Sequence, residues 1–147
     1  MNNNVFNKTY TPKYDNDTIP LWYFKQEIEK LKQSIEEEKV ISGSNTNGYW
    51  TKYADGTMIC YTSVTAEVNF NSAWYNDYSG TMDLGYFPQR FVEVPKVLLN
   101  NACASAATIQ NYVLMPTEAH PGSIFLTRPF SSITDITIDI IAIGKWK

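Results

Sequence analysis

The chain has 147 residues, with 12 Lys and Arg against 15 Asp and Glu, a net charge of −3. That balance, without any basic run, excludes the electrostatic footprint of a nucleic-acid binder or an anionic-membrane binder. Hydrophobic residues at 44% and aromatics at 14% exclude wholesale disorder and favour a β-rich fold.

Residues 1–20 are polar and read as an extended lead-in. They lack a basic stretch followed by an apolar core, so no secretory signal peptide is expected. No apolar run approaches the roughly 20 residues of a membrane helix, so no membrane insertion is expected either. Residues 21–41 read as one helix, with Asp17 or Thr18 as cap and Pro20 in the first turn. Leu21, Phe24, Ile28, Leu31 and Ile35 recur in steps of three and four, and charged residues fill the other faces. Such a stripe fits an amphipathic helix lying on its own sheet or a short parallel coiled coil. Its narrowness favours the coiled coil, because a helix on a sheet shows a wider apolar face. Ile at a with Leu at d leans towards two strands. The stripe is too short to be stable alone, so the following domain must oligomerise with it.

Residues 42–147 read as an antiparallel β-sandwich, making the chain mainly β. Gly43 and Gly48 bracket a polar loop. Asp55-Gly56 then predicts a two-residue hairpin turn that pairs Tyr53 with Met58, Thr51 with Cys60 and Tyr49 with Thr62. Val64, Ala66, Val68 and Phe70 alternate with polar residues as a half-buried strand. Asn71 to Gly80 reads as a long polar loop loaded with aromatics. Short strands follow at Thr81–Tyr86, Lys96–Asn100 (buried), Thr108–Met115 and Ser123–Thr127, separated by proline-marked turns except at Ala102 to Ala107, a small-residue stretch that reads as a tight turn or a close backbone contact. Ile133 to Trp146 is the longest β-run. It becomes apolar on both faces at Ile140 to Ile143, so Ile141 and Ile143 need a cover that a neighbouring subunit would supply.

Cys60 and Cys103 read as buried free thiols rather than a disulfide. A metal site would want more ligands at short spacing, and the chain has a single His, so no metal or cofactor is expected. The same scarcity argues against an enzyme. A Ser-His-Asp or Cys-His site would depend wholly on His120, and no acidic pair sits in a glycosidase-like motif.

Three motifs resemble the C-terminal domains of bacteriophage and prophage tail fibres. The first is Ser42-Gly43-Ser44-Asn45, Asn47-Gly48, Trp50, Lys52, Asp55-Gly56-Thr57 and Ile59-Cys60-Tyr61. The second is Phe87-Pro88, Phe91, Pro95 and Val97. The third is the ending Ala142-Ile143-Gly144-Lys145-Trp146-Lys147, where the family often has Arg in place of Lys145. The likeness covers about 105 residues. Such domains resemble H-type lectin-like sandwiches. The resemblance implies a homotrimer, contacts with other tail proteins, attachment to a host cell-surface polysaccharide or glycan, and a place in the virion after synthesis in the host cytoplasm. The alternatives are a purely structural trimerisation or capping domain and a cellular lectin-like adhesin. No sugar-contact residue is carried over by the resemblance.

From the residues themselves, Trp74, Tyr75, Asn76, Asp77 and Tyr78 form the first candidate ligand site, with Asn71 beside them. The aromatics offer flat faces to a sugar ring and the polar groups suit its hydroxyls. The competing reading is that the aromatics fold back and plug the end of the sandwich. A second candidate groups Glu118 and His120 with Arg128.

Overall fold

The computed structural model describes residues 20–37, 39–102 and 106–147. Most of the expected lead-in, the Asp17 or Thr18 cap and Cys103 lie outside them. The chain divides into two units, residues 1–39 and 40–147.

In the first unit, helix α1 spans Leu21–Glu37. The Pro20 carbonyl accepts the N–H groups of Tyr23 (3.0 Å) and Phe24 (3.1 Å), so Pro20 stands just before the helix. Glu27–Lys30 and Glu29–Lys32 pair along its surface at 2.6 and 2.8 Å. Both pairs are exposed, so water and salt screen them strongly. The expected helix ran to Ile41. It stops four residues earlier, because Ile41 opens a strand whose Ser-Gly-Ser-Asn continuation has poor helix propensity. Leu21, Phe24, Leu31 and Ile35 are all more than half exposed. No described helix is long and apolar enough to cross a membrane.

The second unit is built of antiparallel strands: β1 (Ile41–Asn45), β2 (Gly48–Lys52), β3 (Thr57–Phe70), β4 (Ser72–Trp74), β5 (Asp77–Asp83), β6 (Lys96–Asn101), β7 (Thr108–Leu114), β8 (Ser123–Arg128) and β9 (Ser132–Lys145). They form a five-stranded sheet, β1-β2-β3-β9-β6, and a four-stranded sheet, β4-β5-β8-β7. One buried cluster draws on both. Met58, Cys60, Val68 and Phe70 come from β3, Ile136, Ile138, Ile140 and Ala142 from β9, Met82 from β5, and Ile124 and Leu126 from β8. Each large apolar side chain withdrawn from water in this way stabilises the fold by about 1.5–3 kcal/mol. Gly80 permits the close approach of β5 to β3, since a Cβ there would come within 2.5 Å of Val68.

The central pair is β3 with β9, in register without a break from Thr57↔Lys145 to Phe70↔Ser132. The alternation of Ile136, Ile138 and Ile140 with Thr137, Asp139 and Ile141 is realised: the first three are fully buried.

The Asp55-Gly56 hairpin forms one residue out of the expected register. Lys52 faces Met58, Thr51 faces Ile59, Trp50 faces Cys60 and Tyr49 faces Tyr61. The cause is a three-residue turn, Ala54-Asp55-Gly56, in place of two. Gly56 N–H donates to the Tyr53 carbonyl (3.1 Å), Tyr53 N–H donates to the Thr57 carbonyl (2.8 Å), and Gly56 takes φ +85°. A one-residue slip exchanges the faces. Trp50 therefore packs against the core, and Tyr49 and Tyr61 stand outside. Asp55 holds the turn by accepting the Thr57 N–H (2.7 Å) and hydroxyl (3.0 Å). Those bonds keep its carboxyl below its ordinary value. The chain's end clamps the same turn. Trp146 donates its backbone N–H to Gly56 O and its indole N–H to Tyr53 O, both at 3.0 Å.

Other expectations need revision. The polar stretch after Gly43 is an edge strand, β1, because backbone pairing with β2 requires no apolar side chains. The Lys96–Asn100 segment is also an edge strand: Val97 and Leu99 meet the core while Leu98 is 61% exposed. The strand expected at Thr81–Tyr86 lies earlier, as β5, and the chain beyond it carries Leu84, Phe87 and Phe91 into the core. That segment is tied to the loop before β8 by Phe87 N–H to Ala119 O (3.0 Å) and Phe91 N–H to Glu118 O (2.9 Å).

Candidate ligand-binding groove

The segment expected to be a long loop at Asn71–Gly80 is a tight hairpin. Strands β4 and β5 pair as Ser72↔Ser79, Ala73↔Tyr78 and Trp74↔Asp77, leaving only Tyr75 and Asn76 as turn residues. Tyr75 takes φ +52°, the left-handed region that suits glycine, and stands 92% exposed. Alternation along the strands then sorts the aromatics. Tyr78 turns inward and packs on the core, while Trp74 stays 46% exposed on the opposite face. Of the three aromatics, Tyr78 alone folds back onto the core.

Trp74 reaches across β5 to Phe125 of β8, with ring centroids 4.9 Å apart at 67°. Tyr75 also meets the indole, at 90° with centroids 5.2 Å apart. Edge-to-face pairs of this kind contribute about 0.5–1.5 kcal/mol beyond the area they bury. They hold the indole in place while part of it remains accessible.

The opposing wall comes from β7. Its pairing with β8 runs Ile109↔Leu126 and then Asn111↔Phe125, so Gln110 is an extra residue, a β-bulge. A bulge sets two successive side chains on one face. Asn111 shares the face of its partner Phe125. Gln110 shares it too, because its Nε2 donates to Thr127 Oγ1 at 2.8 Å, and Thr127 lies two residues from Phe125 on β8. Trp74, Phe125, Gln110, Asn111, Tyr112 and Val113 line a groove of about 390 Å³. Aromatic carbon forms one side and two neighbouring amides the other. Burial holds the Tyr112 phenol above its ordinary pKa, so it remains a neutral hydroxyl.

The second sequence candidate is not assembled. His120 lies beside the start of β8, where its Nδ1 accepts the Gly122 N–H (2.8 Å), its Nε2 is 3.4 Å from Asp83 Oδ1, and its ring meets Tyr86 edge-on. Arg128 ends the same strand, roughly 17 Å away at the rise of an extended chain. It is 93% buried by the complement of its 7% exposure, beneath Phe130 and Phe70, and donates to Ser132 Oγ at 2.6 Å. The two residues serve separate local structures.

The residues expected to meet another subunit are open. Ile141 and Ile143 are 40% and 39% exposed. Cross-strand pairing sets Ser44, Tyr49, Tyr61, Ile141 and Leu98 in one row over the outer face of the five-stranded sheet. The Tyr61 hydroxyl donates to Asp139 (3.4 Å), whose negative charge raises the phenol pKa. Cys60 is buried, and burial pushes its thiol up to about 11, so it stays protonated and inert at neutral pH. Among the described residues, no three His, Cys, Asp or Glu side chains gather in a way that would hold a metal ion.

No family model matches the chain, and no curated protein matches it in sequence. Solved structures do match in fold. An N-truncated R1-type pyocin tail fibre superposes with a TM-score of 0.50 at 14% identity, covering 86% of this chain and 98% of that one. A C-terminal fragment of the P. aeruginosa R1 pyocin fibre superposes with a TM-score of 0.50 at 14% identity over 72% of this chain, which spans only 28% of the fragment. The chain is thus similar in fold to pyocin tail fibres: antiparallel sheets preceded by a helix.

Proposed function

We propose that the chain is a tail-fibre tip module of a phage or phage-like particle, a non-catalytic homotrimer that attaches to a host cell-surface glycan. In this reading α1 joins its copies through Leu21, Phe24, Ile28, Leu31 and Ile35. The two sheets face each other as a lectin-like sandwich, and the outer row around Ile141 is buried between subunits. The observation that carries the attachment function is the groove of the four-stranded sheet. There a half-exposed Trp74 braced by Phe125 faces the paired amides of Gln110 and Asn111, an arrangement suited to the apolar face and the hydroxyl edge of a sugar ring. Three copies would present three grooves, and avidity would strengthen a weak single-site contact by orders of magnitude. Light scattering is expected to give three chain masses, and the purified assembly is expected to bind intact host cells and their extracted surface polysaccharide. A single-chain mass, or no binding to any wall polysaccharide or cell, would overturn the reading.

The rival reading is a structural trimerising cap that ends a fibre, with the receptor contacted elsewhere. It is favoured by the apolar row on the five-stranded sheet. An assembly whose adsorption is unchanged by Trp74→Ala would establish it.

A further inference from the structure

The proposed attachment site can be assigned a ligand class, an assignment that rests on the reading above. We infer that the groove takes an uncharged pyranose, stacked on Trp74 and read by Gln110 and Asn111, and that it rejects uronic, sialic and phosphorylated sugars.

The argument begins with charge. Of the six residues lining the groove, none carries a charge at neutral pH. Across the four strands β4, β5, β7 and β8 the only cationic residue is Arg128. Its side chain is buried beneath Phe70 and Phe130 and bonded to Ser132, facing away from the groove. The charged residues on the same four strands that remain are Asp77 and Asp83. Asp77 pairs directly with Trp74, beside the aromatic wall. An anionic sugar entering here would meet the Asp77 carboxylate beside Trp74 and no counter-charge among the lining residues, and a like charge held close is repelled. A neutral ring meets no such penalty.

Hydrogen-bonding capacity points the same way. The Gln110 amide spends an N–H on Thr127 Oγ1, which fixes the side chain across the sheet and leaves Oε1 as an acceptor. The neighbouring Asn111 supplies both an acceptor and donors. Two adjacent amides fit two adjacent hydroxyls, each of which both donates and accepts. The bulge is what makes them adjacent: in an unbroken ladder Gln110 and Asn111 would point to opposite faces. A site that hydrogen-bonds hydroxyls discriminates strongly against analogues lacking them. Gln110 and Asn111 are therefore specificity residues, and Trp74 supplies the stacking surface.

Saturation-transfer NMR and calorimetry on the full chain, using methyl glycosides of neutral hexoses and 6-deoxyhexoses beside glucuronate and a hexose 6-phosphate, test the assignment. Neutral glycosides are expected to bind in the millimolar range, with affinity unchanged between 50 mM and 500 mM salt, and the acidic sugars are expected not to bind. Asn111→Ala and Gln110→Ala should each weaken binding about tenfold without altering the melting temperature by more than a few degrees. Trp74→Ala should abolish the NMR signal. Preferential, salt-sensitive binding of the acidic sugars overturns the inference. So does neutral-sugar binding that survives all three substitutions. If the free sugars give no signal while the assembly still adsorbs to cells, the groove assignment falls and the attachment function stands. If wild-type protein fails on cells and sugars alike, both fall.

Discussion

The two sheets of the β unit present contrasting outer faces. The five-stranded sheet is regular: its central pair keeps register over 14 residues of β3, and its exposed aromatics, Tyr49 and Tyr61, lie side by side in a cross-strand row with Ile141 and Leu98. The four-stranded sheet is interrupted. It carries a strained hairpin tip at Tyr75 and register shifts between β7 and β8, and its aromatics stand over neighbouring amides. A regular ladder yields a flat apolar face suited to another protein surface. A bulged ladder yields a recess with directed hydrogen-bonding groups. One fold thereby offers a flat face and a recessed face without inserting a loop for either.

Substitutions can break that contrast, and the expected effects fall in order. The largest is Ile138→Ala, in the fully buried core behind both faces. It should cost about 2–5 kcal/mol at any protein concentration, read from chemical denaturation. Ile141→Asp, on the flat face, should leave the single-chain fold intact but dissociate the assembly, seen as a drop in solution mass. An unchanged mass would show that the row is not an interface. On the recessed face, Trp74→Ala should reduce adsorption about tenfold or more, because the stacking surface at the centre of the groove is removed. Tyr75→Gly should sharpen the contrast by relaxing the turn. Stability should rise by about 1 kcal/mol, and adsorption should fall only as far as Trp74 loses its brace.

The smallest effect concerns pH. Asp55 has a lowered carboxyl pKa in the folded hairpin. Its contribution is therefore fully present above the ordinary carboxylate range and fades as pH falls through the depressed value. Asp55→Asn should lower the melting temperature slightly at pH 7 and leave it unchanged in strong acid, where wild type has already lost the charge. A difference that persists in strong acid would assign the residue a purely steric part.

Much of this was legible from the residues alone. The alternation of Ile136, Ile138 and Ile140, and of Val68 and Phe70, specifies burial directly, because a strand has only two faces. The turn at Gly56 was visible as well, but its length was not. A three-residue turn and a two-residue turn share the same Asp-Gly pair, and choosing between them exchanges the faces of Trp50 and Tyr49. Within the groove, the aromatic context of residues 71–80 points to Trp74 but not to the residues that face it. Phe125 lies 51 residues further along the chain, and only the sheet order brings it near. Gln110 and Asn111 did carry a signal: two consecutive amides within a β-run break the alternation, as a bulge requires. His120 and Arg128 are close in sequence, but the extended strand β8 between them holds them apart.

The pairing of β3 with β9 has a consequence for how the molecule comes into being. The partner strand of residues 57–70 is residues 132–145, so during synthesis the middle of the large sheet stays open until residues 132–145 have left the ribosome. Until then an unpaired strand edge is available to any neighbouring nascent chain, a known route to aggregation. Closure joins segments far apart in sequence, which slows folding to the millisecond-to-second range typical of such topologies. High-yield production of the intact module should therefore respond to slower translation or lower temperature more than to any stabilising change on its surface.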